Sequence, residues 1–221
     1  MSTDLAILVP VLARPHRVAP LLDSVEATTP GVRVLFLVDS DDEAERDAIW
    51  KEMGAGRELA IGAVIDGGSY AAKINQGVRR TSDPLLFLGA DDLEFKTGWF
   101  EAAQRSLAGP VEVVGVNDLL RRRPRRRDHA THFFLTRAYA ELGTIDGAGG
   151  PLHEGYDHSF VDDEFIATAA KRGAYAYAPD SHVRHIHWMN RAAPDDAVYR
   201  KGRARFEQDR RLFRERSALW A

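Results

Sequence analysis

The 221-residue chain contains no cysteine, which excludes a disulfide framework, thiol catalysis and cysteine-bound zinc together. It also has no apolar run near the ~18 residues that a membrane span requires. Its first residues, MSTDLAILVP, carry neither the basic region nor the cleavage site of a signal peptide, so the expected location is the cytoplasm. No GxGxxG follows the first apolar run and no GxxxxGKS/T occurs anywhere, so neither glycine-rich nucleotide fingerprint applies. Neither sign of charge dominates: 30 basic and 33 acidic residues leave a net −3, which hides a very uneven distribution. Hydrophobic content of 44% and charged content of 29% are ordinary for a globular protein. The length suits one large domain, or two closely merged lobes, with a real core.

Apolar runs and helical spacings alternate through the first ninety residues. Leu5 to Val9 reads as a buried parallel strand ended by Pro10, and Val18 to Thr28 as a helix with Val18, Leu21, Leu22 and Val25 on one face. Val32 to Val38 is a second strand ending in Asp39. Ser40 with Glu43 forms a capping-box pattern for a helix running to about Met53. Leu59 to Ile65 is a third strand. The stretch Ser69 to Asp92, SYAAKINQGVRRTSDPLLFLGADD, gives an amphipathic helix, a turn at Thr81 to Pro84, and an apolar strand running straight into Asp91 and Asp92. This order predicts an α/β fold with a mostly parallel sheet and right-handed crossovers.

In such a sheet ligands bind beyond the carboxyl ends of the strands, where Pro10, Asp39 and Asp91 fall. Neighbouring side chains on an extended chain point to opposite sides, so Asp91 and Asp92 divide their labour unless the chain bends. One carboxylate then suits a hard divalent cation completed by phosphates and water, the other a sugar hydroxyl. An acidic turn closing a core strand is the structural alternative. Arg14 offers charge to a phosphate, and Asp39 either accepts from a ribose or base or complements a helix dipole.

The second half is less regular. A helix from Thr97 to Leu107 precedes a strand at Val111 to Val116, and then comes RRRPRRRD, with six arginines around Pro124. That run, Arg121 to Arg127, is either a solvated loop or a clamp for the phosphates of a lipid-linked, nucleotide or nucleic-acid acceptor. It has no interleaved aromatics for base stacking. The Gly-rich stretch Thr144 to Tyr156 is a candidate lid or acceptor loop. Asp162 to Glu164 start a helix, where Ser159 with Asp162 also resembles a cap. Tyr175 to Tyr177 form a short strand. His185 and His187 face one side of an extended chain, and a zinc site on His182, His185 and His187 is a further arrangement. The tail from Asp195 to Ala221 reads as one charged helix. Its aromatic stripe, Tyr199, Phe206, Phe213 and Trp220, packs on the sheet domain or forms a dimer contact.

A first strand ending in ILVP, a second ending in LFLVD, and the run YAAKINQGVRRTSDPLLFLGADD together resemble the nucleotide-sugar glycosyltransferases of the GT-A fold, close to glycosyltransferase family 2. The resemblance covers most of residues 5 to 100. It departs at Gly89, where the family often has an aspartate, so the metal role falls on Asp91 and Asp92. It implies a GT-A, Rossmann-like sheet flanked by helices. Residues 1–110 would be a donor-binding half, 111–194 an acceptor and catalytic half, and 195–221 a C-terminal helix. The implied donor set is Pro10, Arg14, Asp39, Lys73, Asn75 and Asp91. The implied metal set, for Mn2+ or Mg2+, is Asp92 and Asp91 with His185 or His187. The family's general base, an Asp at a helix N-terminus about eleven residues before a Gly, maps to Asp162, with Asp163 beside it. The implied reaction moves a sugar from a nucleoside-diphosphate donor to an acceptor hydroxyl with inversion. Two rivals differ in class: a nucleotidyltransferase, which normally wants a Gly-rich loop that VPVLARPHR does not supply, and a non-catalytic nucleic-acid binder using Arg121 to Arg127.

Overall fold

Strand β1 (Leu5–Pro10) is buried on both faces because it is parallel to β2 (Arg33–Asp39) on one side and β4 (Leu85–Leu88) on the other, with helices above and below. That double burial is why it reads as an unbroken apolar run. The computed structural model describes residues 4–120, 128–147 and 149–221, so Arg121 to Arg127 lie outside the described residues. β3 (Ala60–Asp66) continues the parallel set beyond β2. The crossovers are helices α1 (Val18–Thr28), α2 (Glu43–Met53) and α3 (Tyr70–Arg80).

The remaining strands are β5 (Leu93–Phe95), β6 (Val113–Asn117), β7 (Phe133–Thr136) and β8 (Tyr175–His185). β7 turns the sheet antiparallel beside β4, β6 pairs antiparallel with β7 and parallel with β8, and β5 closes the far edge against β8. The order is β3-β2-β1-β4-β7-β6-β8-β5. The helices of this half are α4 (Trp99–Ser106), α5 (Arg137–Glu141), α6 (Val161–Lys171), α7 (Ala197–Ala204) and α8 (Phe206–Arg216). None among the described residues is long and apolar enough to cross a membrane.

Alternate residues of the central strands feed two cores. Leu5, Ile7, Val9 and Phe36 pack with Leu22 of α1 and Trp99 of α4, while Ala6, Leu8 and Leu37 pack with Ile74 of α3 and Phe165 of α6. Register aligns the strand ends: Pro10 is opposite Leu37, Leu8 opposite Leu88 and Asp39 opposite Asp66. The residues that follow β1, β2 and β4 therefore emerge on one edge. Gly89 sits where an added Cβ would lie 3.2 Å from the Leu8 carbonyl, and its N–H donates to that oxygen at 2.9 Å. Close approach to β1 is thus the reason for a glycine here.

Several sequence expectations need correction. The α2 cap is Asp42, not Ser40: its carboxylate accepts from Glu45 N–H, and Glu45 turns away to the loop after β1. Ser159 does not cap α6, since Phe160 is the capping residue and takes φ 64°. β8 runs to His185 rather than stopping at Tyr177, because β6 partners its first half and His182, and β5 partners Val183 to His185. The tail is two helices and a final 3-10 turn at Ser217–Trp220, not one helix.

The bend at Arg205 satisfies two separate anchors. On α7, Tyr199 reaches the end of β4. On α8, the fully buried Asp209 accepts from the N–H groups of Asp157, His158 and Ser159 at 3.0, 3.0 and 2.8 Å. The aromatic stripe packs within the chain, with Phe206 and Phe213 against Phe160 and Trp220 against Phe213. Truncating Asp209→Ala leaves three amides without their acceptor. It should destabilise the protein by about 3 kcal/mol, roughly 6–12 °C in Tm for a chain this size, measured by thermal and denaturant unfolding.

Candidate active site

The loop after β1 is built by α2. Asp42 accepts from Ala13 N–H at 2.7 Å and the buried Glu45 accepts from Arg14 N–H at 2.7 Å. Burial pushes the Glu45 carboxyl up, with the Arg14 amide opposing. Ala13 is held at φ 49°, a conformation uncommon outside glycine. This aims the Arg14 side chain, 4% exposed, across the carboxyl end of β4.

There the chain turns, and both carboxylates face the same guanidinium. Arg14 Nη1 lies 3.2 Å from Asp91 Oδ1 and 3.6 Å from Asp92 Oδ2. Its other edge, Nε and Nη2, donates to both oxygens of Asp196 at 2.8 and 3.0 Å. Asp91 and Asp92 are both buried. Burial, and after it the adjacent Asp92 charge, pushes the Asp91 carboxyl up to about 7, with Arg14 pulling the other way. Burial opposes ionisation of Asp92 too, but His185 and Tyr199 overcome it and hold that carboxyl well below the usual range.

Strand pairing delivers His185. β5 begins directly after Asp92, Leu93 is opposite His185, and Ile186 N–H donates to the Asp92 carbonyl at 2.8 Å. His185 Nε2 then lies 3.2 Å from Asp92 Oδ1. The Tyr199 hydroxyl donates to Asp92 Oδ2 at 2.7 Å, with the Ile186 carbonyl 3.2 Å away. The His187 ring lies 4.8 Å from that of His185 and tilted to it, but its Nδ1 accepts from Met189 N–H. Burial, then the His185 charge, pushes His187 down to about 4. His182 is exposed between buried Ser181 and Val183, so the three histidines do not gather at one point.

Of the other donor candidates, Pro10 ends β1 at the crevice. Lys73 Nζ bridges Asp39 Oδ2 and the Val11 carbonyl, both at 2.8 Å, tying the ends of β1 and β2 together. Asn75 is fully buried and its amide holds the Gly-rich loop: Nδ2 donates to the Leu152 carbonyl and to Glu154, and Oδ1 accepts from Leu152 N–H. Gly150 passes so close that a Cβ would meet Asn75 Oδ1 at 2.5 Å. Asn75 therefore acts on the loop.

A second acidic centre lies at the start of α6. His129 Nε2 is 3.1 Å from Asp162 Oδ2 and its Nδ1 is 3.8 Å from Asp163 Oδ1. Among the described residues this is the group of three metal-ligand types whose ligand atoms all lie within 4.8 Å. The set Asp91, Asp92, His185 and His187 does not gather so tightly, because Arg14 and Tyr199 are inserted in it. Tyr70, half-buried at the start of α3, has its hydroxyl pushed up by burial and then by the charges of Asp162 and Asp92. The sequence reading named neither His129, Asp196 nor the hydroxyl of Tyr199. Only Tyr199 carried a signal there, as one member of the aromatic stripe.

The fold has solved counterparts. A mannosyltransferase, PcManGT from Pyrobaculum calidifontis in complex with GDP-Man and Mn2+, matches with TM-score 0.70 at 18% identity, over 93% of this chain and 62% of that one. The chain has the GT-A fold. Residues 1–349 of S. aureus TarS match with TM-score 0.60 at 11% identity, over 83% of this chain and 59% of that one. Glucosyl-3-phosphoglycerate synthase from Mycobacterium tuberculosis, in complex with Mn2+, UDP and glucosyl-3-phosphoglycerate, matches with TM-score 0.58 at 13% identity, over 93% and 79%. The chain thus spans about three fifths of the first two. No protein-family model matches the sequence, and no curated protein matches it in sequence.

The Asp91 environment makes stability depend on pH. Because the folded state keeps this proton above the ordinary carboxyl range, folding takes up a proton between about pH 4 and 7, and this group's contribution falls as pH rises through that window. Asp91→Asn is neutral throughout. In metal-free buffer it should be more stable than wild type at pH 8 by on the order of 1–3 kcal/mol, with the gain fading toward pH 4. Denaturant unfolding across that range is the check, and a gain independent of pH contradicts it.

Proposed function

We propose that this chain is a metal-dependent glycosyltransferase that moves a sugar from a nucleoside-diphosphate sugar to an acceptor hydroxyl with inversion. The observation that carries the reading is the buried pair Asp91 and Asp92 at the carboxyl end of β4, faced by Arg14 on one side and His185 on the other. Three carboxylates around one guanidinium leave excess negative charge, and carboxylate oxygens with one imidazole suit Mn2+ or Mg2+. Proteins of this fold in complex with Mn2+ and GDP-Man or UDP support the same assignment.

Asp92 and His185 would hold the cation, with Asp91 beside them. When bound, it supplies the positive charge that stabilises the departing diphosphate. Arg14 offers a second positive group on the same face. Asp39, steadied by Lys73, is the acceptor for the donor's ribose or base. Asp162, at the start of α6, takes the proton of the acceptor hydroxyl as its oxygen attacks the anomeric carbon and the bond to the diphosphate breaks. His129 holds the Asp162 carboxylate, and Asp163 lies beside it. The arginine run ends two residues before His129 in sequence, which favours an acceptor that bears phosphate, whether nucleic acid or lipid-linked.

A thermal-shift panel of nucleoside diphosphates, with and without Mn2+, tests the donor half. One diphosphate at a hundred times its Kd should add about 2.7 kcal/mol only when metal is present. Asp92→Ala should lose that shift. Loss on Asp162→Asn instead would move the cation to the His129, Asp162 and Asp163 group. Asp162→Asn should lower transfer by roughly 100- to 10,000-fold while leaving diphosphate binding intact, and equal loss of both would sink the base assignment.

A further inference from the structure

We propose that Tyr199 and Asp196, in the first turn of α7 and at its cap, are positioning residues of the carboxylate site; this rests on the reading that Asp92 holds a cation. Tyr199 is 6% exposed, and its hydroxyl donates to Asp92 Oδ2 at 2.7 Å. Its ring lies 4.0 Å from the Arg14 guanidinium carbon and 4.6 Å from the His187 ring. Asp196 accepts from Tyr199 N–H at 3.0 Å, capping α7, and its two oxygens take the Nε and Nη2 edge of Arg14. One helical turn therefore fixes both groups that decide what Asp92 can do.

The chemistry follows from the two oxygens of one carboxylate. Arg14 can bind a carboxylate through two parallel N–H groups, and Asp92 paired in that way would present neither oxygen to a cation. Asp196 takes the two-point edge and leaves Arg14 only Nη1 for Asp91 and Asp92. Tyr199 then pins Oδ2, and Oδ1 is left facing His185. Outer partners that orient a ligating carboxylate in this way are typically worth 10- to 100-fold in metal affinity. The pairs are 107 and 182 residues apart in sequence, so α7 completes from the far end of the chain a site whose acids follow β4.

The test is a Mn2+ titration of the full chain, without nucleotide, followed by the electron paramagnetic resonance of free Mn2+. Tyr199→Phe keeps the ring on Arg14 and removes only the hydroxyl. It should bind Mn2+ about 10- to 100-fold more weakly, with Tm changed by no more than a few degrees. Asp196→Asn keeps a competent cap and removes the charge that holds Arg14, and it should weaken Mn2+ in the same direction; it also carries the test if Tyr199→Phe folds poorly. Wild-type affinity in both variants overturns the proposal. So does tighter binding in Tyr199→Phe, which would make the hydroxyl a competitor for Asp92. An absence of Mn2+ binding in the wild type, or binding unchanged by Asp92→Ala, removes instead the reading beneath it.

Discussion

The Arg14 guanidinium is the interaction on which the crevice depends. It is the cation in direct contact with Asp91, Asp92 and Asp196, and it joins the loop after β1, the end of β4 and the start of α7. Burial alone would lower its affinity for a proton, but the surrounding acids raise it, so it stays charged. Replacing Arg14 would leave these buried carboxylates without their counter-charge, a loss of about 3–5 kcal/mol for a buried pair. The excess of acid over base then falls on Asp91, which holds its proton up to near neutral pH, while Asp92 is kept ionised by His185 and Tyr199. Two adjacent aspartates thereby acquire different chemistry from their surroundings alone.

Backbone strain sits beside both acidic centres. Ala13, next to Arg14, has φ 49°, and Phe160, two residues before Asp162, has φ 64°. A non-glycine residue in this region costs about 1–3 kcal/mol and persists only where its surroundings impose it. At Ala13 the constraint is the pair of α2 acids that accept from the loop amides. At Phe160 it is the Asp209 clamp on the three preceding amides together with the ring contacts to Phe206 and Phe213. In both places the main chain is fixed just before a side chain of an acidic centre, Arg14 in one and Asp162 in the other.

How much of this was legible follows the range of each interaction. Strands β1, β2 and β4 were readable because burial on both faces leaves an unbroken apolar signature, and Asp39, Asp91 and Asp92 because they follow those runs directly. The same logic placed Asp162 at the start of α6, since acids gather in a first helical turn. His185 was legible as a candidate but not its partner, which depends on three residues of β5 pairing with the end of β8. Asn75 was legible as the helix asparagine in the run that carries the resemblance, yet its amide serves a loop nearly eighty residues away. Asp196 was one acid among many in a charged tail. No local pattern separates it from Asp195, which pairs with Arg203 on the surface.

The C-terminal residues unite these observations. α7 holds the end of β4 through Tyr199 and the loop after β1 through Asp196 and Arg14, while α8 holds the approach to α6 through Asp209 and grips α6 itself through Arg216, which pairs with the buried Glu164 at 2.8 Å. Glu164 in turn accepts from the Tyr156 hydroxyl at the end of the Gly-rich loop. Asp92 follows β4 and Asp162 starts α6, whose Phe165 packs in one core with Leu8, Leu37 and Leu88, so the sheet carries both acids. The two short helices joined at Arg205 add a further anchor beside each acid. The break at Arg205, which sequence periodicity did not signal, lies between the anchor that Tyr199 gives Asp92 and the anchor that Asp209 gives the approach to α6.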